Sequence, residues 1–88
     1  MLVAANICKQ YAEHMAKTIE TVYKEIGKRI VAQRKRQNMS QEGLAARSDI
    51  DRAHIGFIEQ GRRRPTLSTL YKLAGALEIT LEQLFKGL

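Results

Sequence analysis

The sequence predicts an all-α fold of five helices with an extra helical extension at its N-terminus. Three observations carry this. The 88 residues include only one proline and six glycines, so little interrupts a helix. Apolar side chains recur at steps of three and four, the spacing that lines one helical face. Ser40, Asp51, Thr66 and Thr80 each stand just before such a run, where an N-cap belongs. With 44% hydrophobic and 27% charged residues, the composition is that of one small globular domain.

The first helix is read over residues 18–37, where Ile19, Val22, Tyr23, Ile26 and Ile30 form a stripe opposite Lys24, Lys28 and Lys35. Upstream, Ile7, Tyr11 and Met15 continue the stripe, so residues 6–37 form either one helix or two joined near Lys17 and Thr18. Residues 1–17 are therefore set apart as an extension to a domain spanning 18–88. This extension is either an arm for dimerisation or packing, or a frayed tail. Asn38 is the first punctuation.

Ser40 caps a second helix carrying Leu44 and Ala45 and ending near Arg47. Ser48-Asp49-Ile50 connects, with Asp49 suited to a left-handed turn. Asp51 caps a third helix, and Ile50 with Ile55 makes a hydrophobic staple across its start. Ile55 and Ile58 mark its buried face, and Gly61 terminates it. A basic loop, Arg62-Arg63-Arg64-Pro65, leads to a fourth helix capped by Thr66, with Leu67, Leu70, Leu73, Ala74 and Leu77 as its apolar set. Thr80-Leu81-Glu82-Gln83 reads as a capping box opening a short last helix with Leu81, Leu84, Phe85 and Leu88.

The net charge of +6 is unevenly placed. Residues 1–25 balance three lysines against three glutamates, so the whole surplus lies in residues 26–88. That suits a polyanionic partner, because cations placed on phosphates release condensed counterions. No apolar run approaches the roughly 20 residues of a membrane span. The apolar start, Met1 to Ala5, lacks the charged region of a signal peptide. A cytoplasmic protein is expected, and the single Cys8 fits a reducing compartment. Cys8, His14 and His54 are the obvious nucleophile or soft-ligand candidates. They have no paired spacing, and there is no phosphate loop and no serine elbow. No enzyme, metal, cofactor or small-molecule ligand is expected.

Residues 40–61 therefore read as a short helix, a tight turn and a second helix, an arrangement that presents the latter as a ridge for a DNA major groove. Here the chain resembles the lambda repressor and Cro-like family of helix-turn-helix regulators, the xenobiotic-response-element type. The resemblance runs from Ile26 to about Leu84. It rests on Ile26-Gly27-Lys28-Arg29-Ile30, on Ser40-Gln41-Glu42 with Leu44-Ala45, and on Ile55 with Ile58-Glu59-Gln60-Gly61. Pro65-Thr66-Leu67, Leu70, Leu73-Ala74 and Leu77 add to it. The run from Ile50 to Ile55 also looks like the recognition helix of restriction–modification controller proteins. Three positions depart from the family pattern. Asp49 stands where glycine is usual, Gly43 where a better helix former is, and Gln33 where a core leucine is common.

The resemblance implies that the N-terminal part of the third helix meets base edges. Arg52 is the prime reader, able to donate two hydrogen bonds to guanine O6 and N7, or else to bind phosphate. Ala53 and Phe57 are apolar on an outward face and suit thymine methyl groups, although Phe57 has the alternative of folding back. His54 is a base reader, a packing residue or a phosphate contact. Gly56 serves either close helix packing or clearance of the groove. Gln41, by resemblance, holds a phosphate at a helix N-terminus that favours anions, the alternative being a simple cap. Arg62, Arg63 and Arg64, which directly follow the third helix, are assigned to phosphates, the alternatives being a merely solvated charge run or one arginine entering a narrow minor groove. Arg34 and Glu59 look like the family's buried or half-buried ion pair between the first helix and the end of the third.

One short helix reads too few bases to select a genomic site. A homodimer on an inverted repeat is therefore expected on double-stranded DNA, with Phe85 and Leu88 as its interface and the N-terminal extension as the rival surface. Two other functions are open: an antitoxin that also binds a toxin through the extension, and a non-specific nucleic-acid binder.

Overall fold

In the computed structural model the backbone is described from Leu2 to Leu88 and the side chains from Ile19 onward. The order is α1 (Leu2–Arg36), α2 (Gln41–Ser48), α3 (Arg52–Glu59), α4 (Leu67–Ala76) and α5 (Leu81–Phe85). Of the two forms open for the first helix, the single continuous one is found. The side chains of Ile7, Tyr11 and Met15, and with them the expected arm surface, lie outside the described residues. Downstream, the stripe meets the core gradually. Ile19 is exposed, Val22 packs against the core, and Ile26 and Ile30 are buried.

Ile30, Leu44, Ile55, Ile58, Leu73, Leu77 and Leu84 are the fully buried large side chains, so each of the five helices contributes to one core. The backbones of α1 and the end of α3 approach one another tightly. A Cβ at Gly27 would lie 2.6 Å from the carbonyl oxygens of both Ile58 and Glu59, so only glycine lets the two backbones meet. Two side chains then fasten helix ends: Arg29 Nη1 of α1 donates to the Leu84 carbonyl at 3.0 Å, and Gln37 Nε2, just past the end of α1, donates to the Leu77 carbonyl at 2.7 Å. Gln33, standing where a core leucine is common, lines a surface pocket with Arg29, Ile79 and Leu84.

The helix boundaries follow local chemistry. Ser40 Oγ accepts from the Gly43 N–H, Thr66 Oγ1 from that of Thr69, and Thr80 and Gln83 form the reciprocal capping box. Each helix is followed within two residues by a left-handed residue: Asn38, Asp49, Gly61, Glu78 and Gly87 in chain order. At Gly61, the Arg62 N–H reaches the Phe57 carbonyl and the Gly61 N–H that of Ile58, which satisfies two orphan carbonyls of α3. Two sequence expectations fail. Asp51 occupies the N-cap position of α3, but its side chain makes no cap hydrogen bond. The start of α3 is held instead by Ile50 packed on the core beside buried Ile55. Leu67, counted in the apolar set of α4, is 63% exposed because the first residue of α4 lies at the rim of the core. Among the described residues no helix is long and apolar enough to cross a membrane.

Candidate nucleic-acid interface

Leu44 anchors α2, and Ser48 ends it buried, its hydroxyl donating to the Leu44 carbonyl at 2.7 Å. Asp49, in the left-handed region at φ 56°, then turns the chain into α3. The period of α3 sorts its side chains. Ile55 and Ile58 are buried, while Arg52, Ala53 and Gln60 are exposed and His54, Gly56 and Phe57 half-buried. The helix thus shows the solvent a face that begins with an arginine and continues through small and apolar groups.

Beneath this face lies a polar cluster. The Arg34 guanidinium meets the Glu59 carboxylate at two points, Nε to Oε2 at 2.8 Å and Nη2 to Oε1 at 3.1 Å. The side chains are 12% and 5% exposed, so the pair ties α1 to the end of α3 in a largely dry setting. Arg34 Nη1 also donates to the Met39 carbonyl at 2.9 Å. The hydrogen bonding to Glu59 raises the Arg34 pKa above its ordinary value, against the opposing pull of burial. Gln41 joins the same carboxylate, its Nε2 donating to Glu59 Oε1 at 2.9 Å. Its side-chain amide is thereby turned toward the protein.

The basic loop divides in two. The Arg62 and Arg63 guanidinium carbons lie over the Phe57 ring, 5.5 and 5.2 Å from its centroid. Arg64 lies over Tyr23 of α1 at 5.6 Å. Phe57 therefore supports two arginines, a role that sequence periodicity does not signal. Gly56 is half-buried but makes no close helix contact on its Cβ side. A Cβ there would meet only Gln41 Nε2, at 4.0 Å, so close helix packing does not explain it. Glu42, which sequence reasoning passed over, places its Oε1 2.8 Å from Arg52 Nε.

Phe85 is half-buried against the core and Leu88 is 43% exposed. Both line an apolar groove of about 470 Å³ with Ile19, Tyr23, Leu67 and Leu70.

The helix-turn-helix family model matches residues 30–84, which contain α2, the turn and α3 in full. The chain belongs to the helix-turn-helix family. As such it is a DNA-binding regulator of transcription. This helix-turn-helix protein is 38% identical over 55 residues to the control protein C.MunI of Mycoplasma sp, across 62% of its own length and 74% of that relative's. It is 43% identical over 54 residues to the immunity repressor protein of Bacillus phage phi105, across 61% of its own length and 38% of the relative's. Among solved structures it matches the restriction-modification controller protein C.AhdI of Aeromonas hydrophila with a TM-score of 0.70 and 38% identity, covering 72% of this chain and 96% of that one.

Proposed function

We propose that this helix-turn-helix protein binds a specific operator in double-stranded DNA as a homodimer, each copy laying α3 in the major groove of one half of an inverted repeat. The observation that carries the reading is the division of α3 into a buried edge, Ile55 and Ile58, and an outward edge led by Arg52. Arg52 reads guanine, and Ala53, His54 and Phe57 meet neighbouring base edges. With its side chain engaged by Glu59, Gln41 offers phosphate its backbone N–H in the first turn of α2, where the helix has unsatisfied donors. Arg62, Arg63 and Arg64 contact phosphates. Phe85 and Leu88, on the apolar groove, are the interface between copies. The likeness to C.MunI and C.AhdI supports a controller role, in which the regulated genes belong to a restriction–modification system.

Selection of bound sequences from random DNA, followed by sedimentation of the complex, tests this. The expected result is an inverted repeat with half-sites about 34 Å apart, one DNA turn, carrying two chains per duplex. A lone half-site bound by one chain, or no enriched sequence at all, contradicts it.

A further inference from the structure

We infer that Glu42 is a positioning residue for base recognition: its carboxylate, 2.8 Å from the inner nitrogen of Arg52, holds the guanidinium so that its two terminal nitrogens face a guanine. The inference rests on the reading of Arg52 proposed above.

Arg52 is the first residue of α3, where the helix dipole disfavours a cation, and the first turn of α3 contains no acidic residue. No charge within that turn restrains the side chain. The N-cap residue Asp51 adds a carboxylate just before the helix, but it is Glu42, from the first turn of α2, whose carboxylate lies against the Arg52 guanidinium. Both side chains are open to solvent, 58% exposed for Arg52 and 68% for Glu42. A pair so exposed adds little to folding. The seating of α2 on α3 rests instead on fully buried Leu44 and Ile55 and on the Gln41–Glu59 hydrogen bond. What the pair does change is the freedom of Arg52. An arginine loses rotamer entropy when its planar fork docks, and a carboxylate that limits the rotamers beforehand reduces that loss. Contact at Nε leaves the Nη1 and Nη2 groups, whose paired donors match O6 and N7 of guanine.

The same carboxylate repels DNA phosphates. Glu42 is therefore expected to act with opposite sign on the two kinds of binding, strengthening guanine recognition and weakening attachment to DNA of arbitrary sequence.

The test compares the full chain with its Glu42→Gln, Glu42→Ala, Arg52→Ala and doubly substituted Glu42→Ala/Arg52→Ala forms, each checked for an unchanged thermal melt. Affinity is measured for the selected operator, for a random duplex, and for operators in which each guanine of the half-site is replaced in turn by 7-deazaguanine, which lacks the N7 acceptor. At one guanine, Glu42→Ala is expected to reduce discrimination by about five- to tenfold, part of what a bidentate contact supplies. Its affinity for random DNA should rise. Glu42→Gln should fall between, and in the Arg52→Ala background the substitution should change discrimination no further. If Arg52→Ala abolishes the discrimination while Glu42→Ala leaves it intact, positioning by Glu42 is overturned and the reading of Arg52 survives. A loss that persists without Arg52 also overturns the positioning role. If Arg52→Ala leaves the preference for every guanine as strong as in the parent chain, both assignments fall together.

Discussion

Glu59 binds Arg34 of α1 through both carboxylate oxygens, at 2.8 and 3.1 Å, at the end of the same α3 whose start carries the outward-facing Arg52. The attachment of the candidate reading helix to the body of the protein thus includes a nearly dry ion pair. Replacing Arg34 with alanine strands the Glu59 charge and removes the donor to the Met39 carbonyl as well. A loss of about 3–5 kcal/mol in unfolding free energy, measured by urea titration, is expected. Because the Arg34 pKa is raised in the folded state, its contribution is fully present below the ordinary arginine range and fades only above it. The Arg34 contribution should therefore stay constant with pH across the neutral range.

Two glycines should respond to alanine in opposite ways. At Gly27 the added Cβ meets backbone oxygens of Ile58 and Glu59 at 2.6 Å, and backbone cannot step aside. Gly27→Ala should destabilise by about 1–3 kcal/mol through overpacking. At Gly56 there is space, so Gly56→Ala should stabilise the folded chain by roughly 0.5–1 kcal/mol from helix propensity. Operator binding by the same variant should weaken if the open backbone serves groove clearance; an unchanged affinity contradicts that role.

The split of the basic loop predicts unequal arginines. Arg62→Ala with Arg63→Ala should weaken operator and random DNA by similar factors and reduce the salt slope by about 0.9 for each phosphate no longer neutralised. Arg64→Ala, whose side chain rests on Tyr23 of α1, should have the smaller effect. Phe57→Ala should partly reproduce the double substitution, because it removes the ring beneath Arg62 and Arg63. Gel-shift titrations over a range of salt separate these outcomes.

Local features of the fold were legible because their causes are local. Ser40, Thr66 and the Thr80–Gln83 box act within one helical turn, and Asp49 and Gly61 end helices through their own backbone preferences. Glu78 in the left-handed region escaped notice because glutamate carries no intrinsic signal for it. The relationships at the candidate interface depend on how α2, α3 and the loop are angled to one another. Residue spacing therefore does not announce the Glu42–Arg52 pair, the Gln41–Glu59 hydrogen bond or the stacking on Phe57. Leu67 shows the converse limit: it fits the apolar period of α4 and yet sits at the rim, since period gives a direction but not a depth.

The apolar groove gives a prediction for assembly. Leu67 and Leu88 line it at 63% and 43% exposure, so lysine at either position should leave the fold intact. If the groove is the contact between copies, Leu67→Lys and Leu88→Lys should shift the sedimenting species from dimer to monomer, with a melt within about 0.5 kcal/mol of the parent in stability. A dimer that persists in both variants assigns self-association to another surface.

The most direct measurement is selection from random DNA, carried out in parallel with the parent chain and with Arg52→Ala. If the helix beginning at Arg52 reads the operator, the parent enriches an inverted repeat, and the variant loses one guanine preference at the same place in each half. Its affinity for the parent operator should fall by about 1–3 kcal/mol for each half-site, so by roughly 2–6 kcal/mol for the dimer. Recovery of the same sequence with the same affinity by both proteins would contradict the account at its centre.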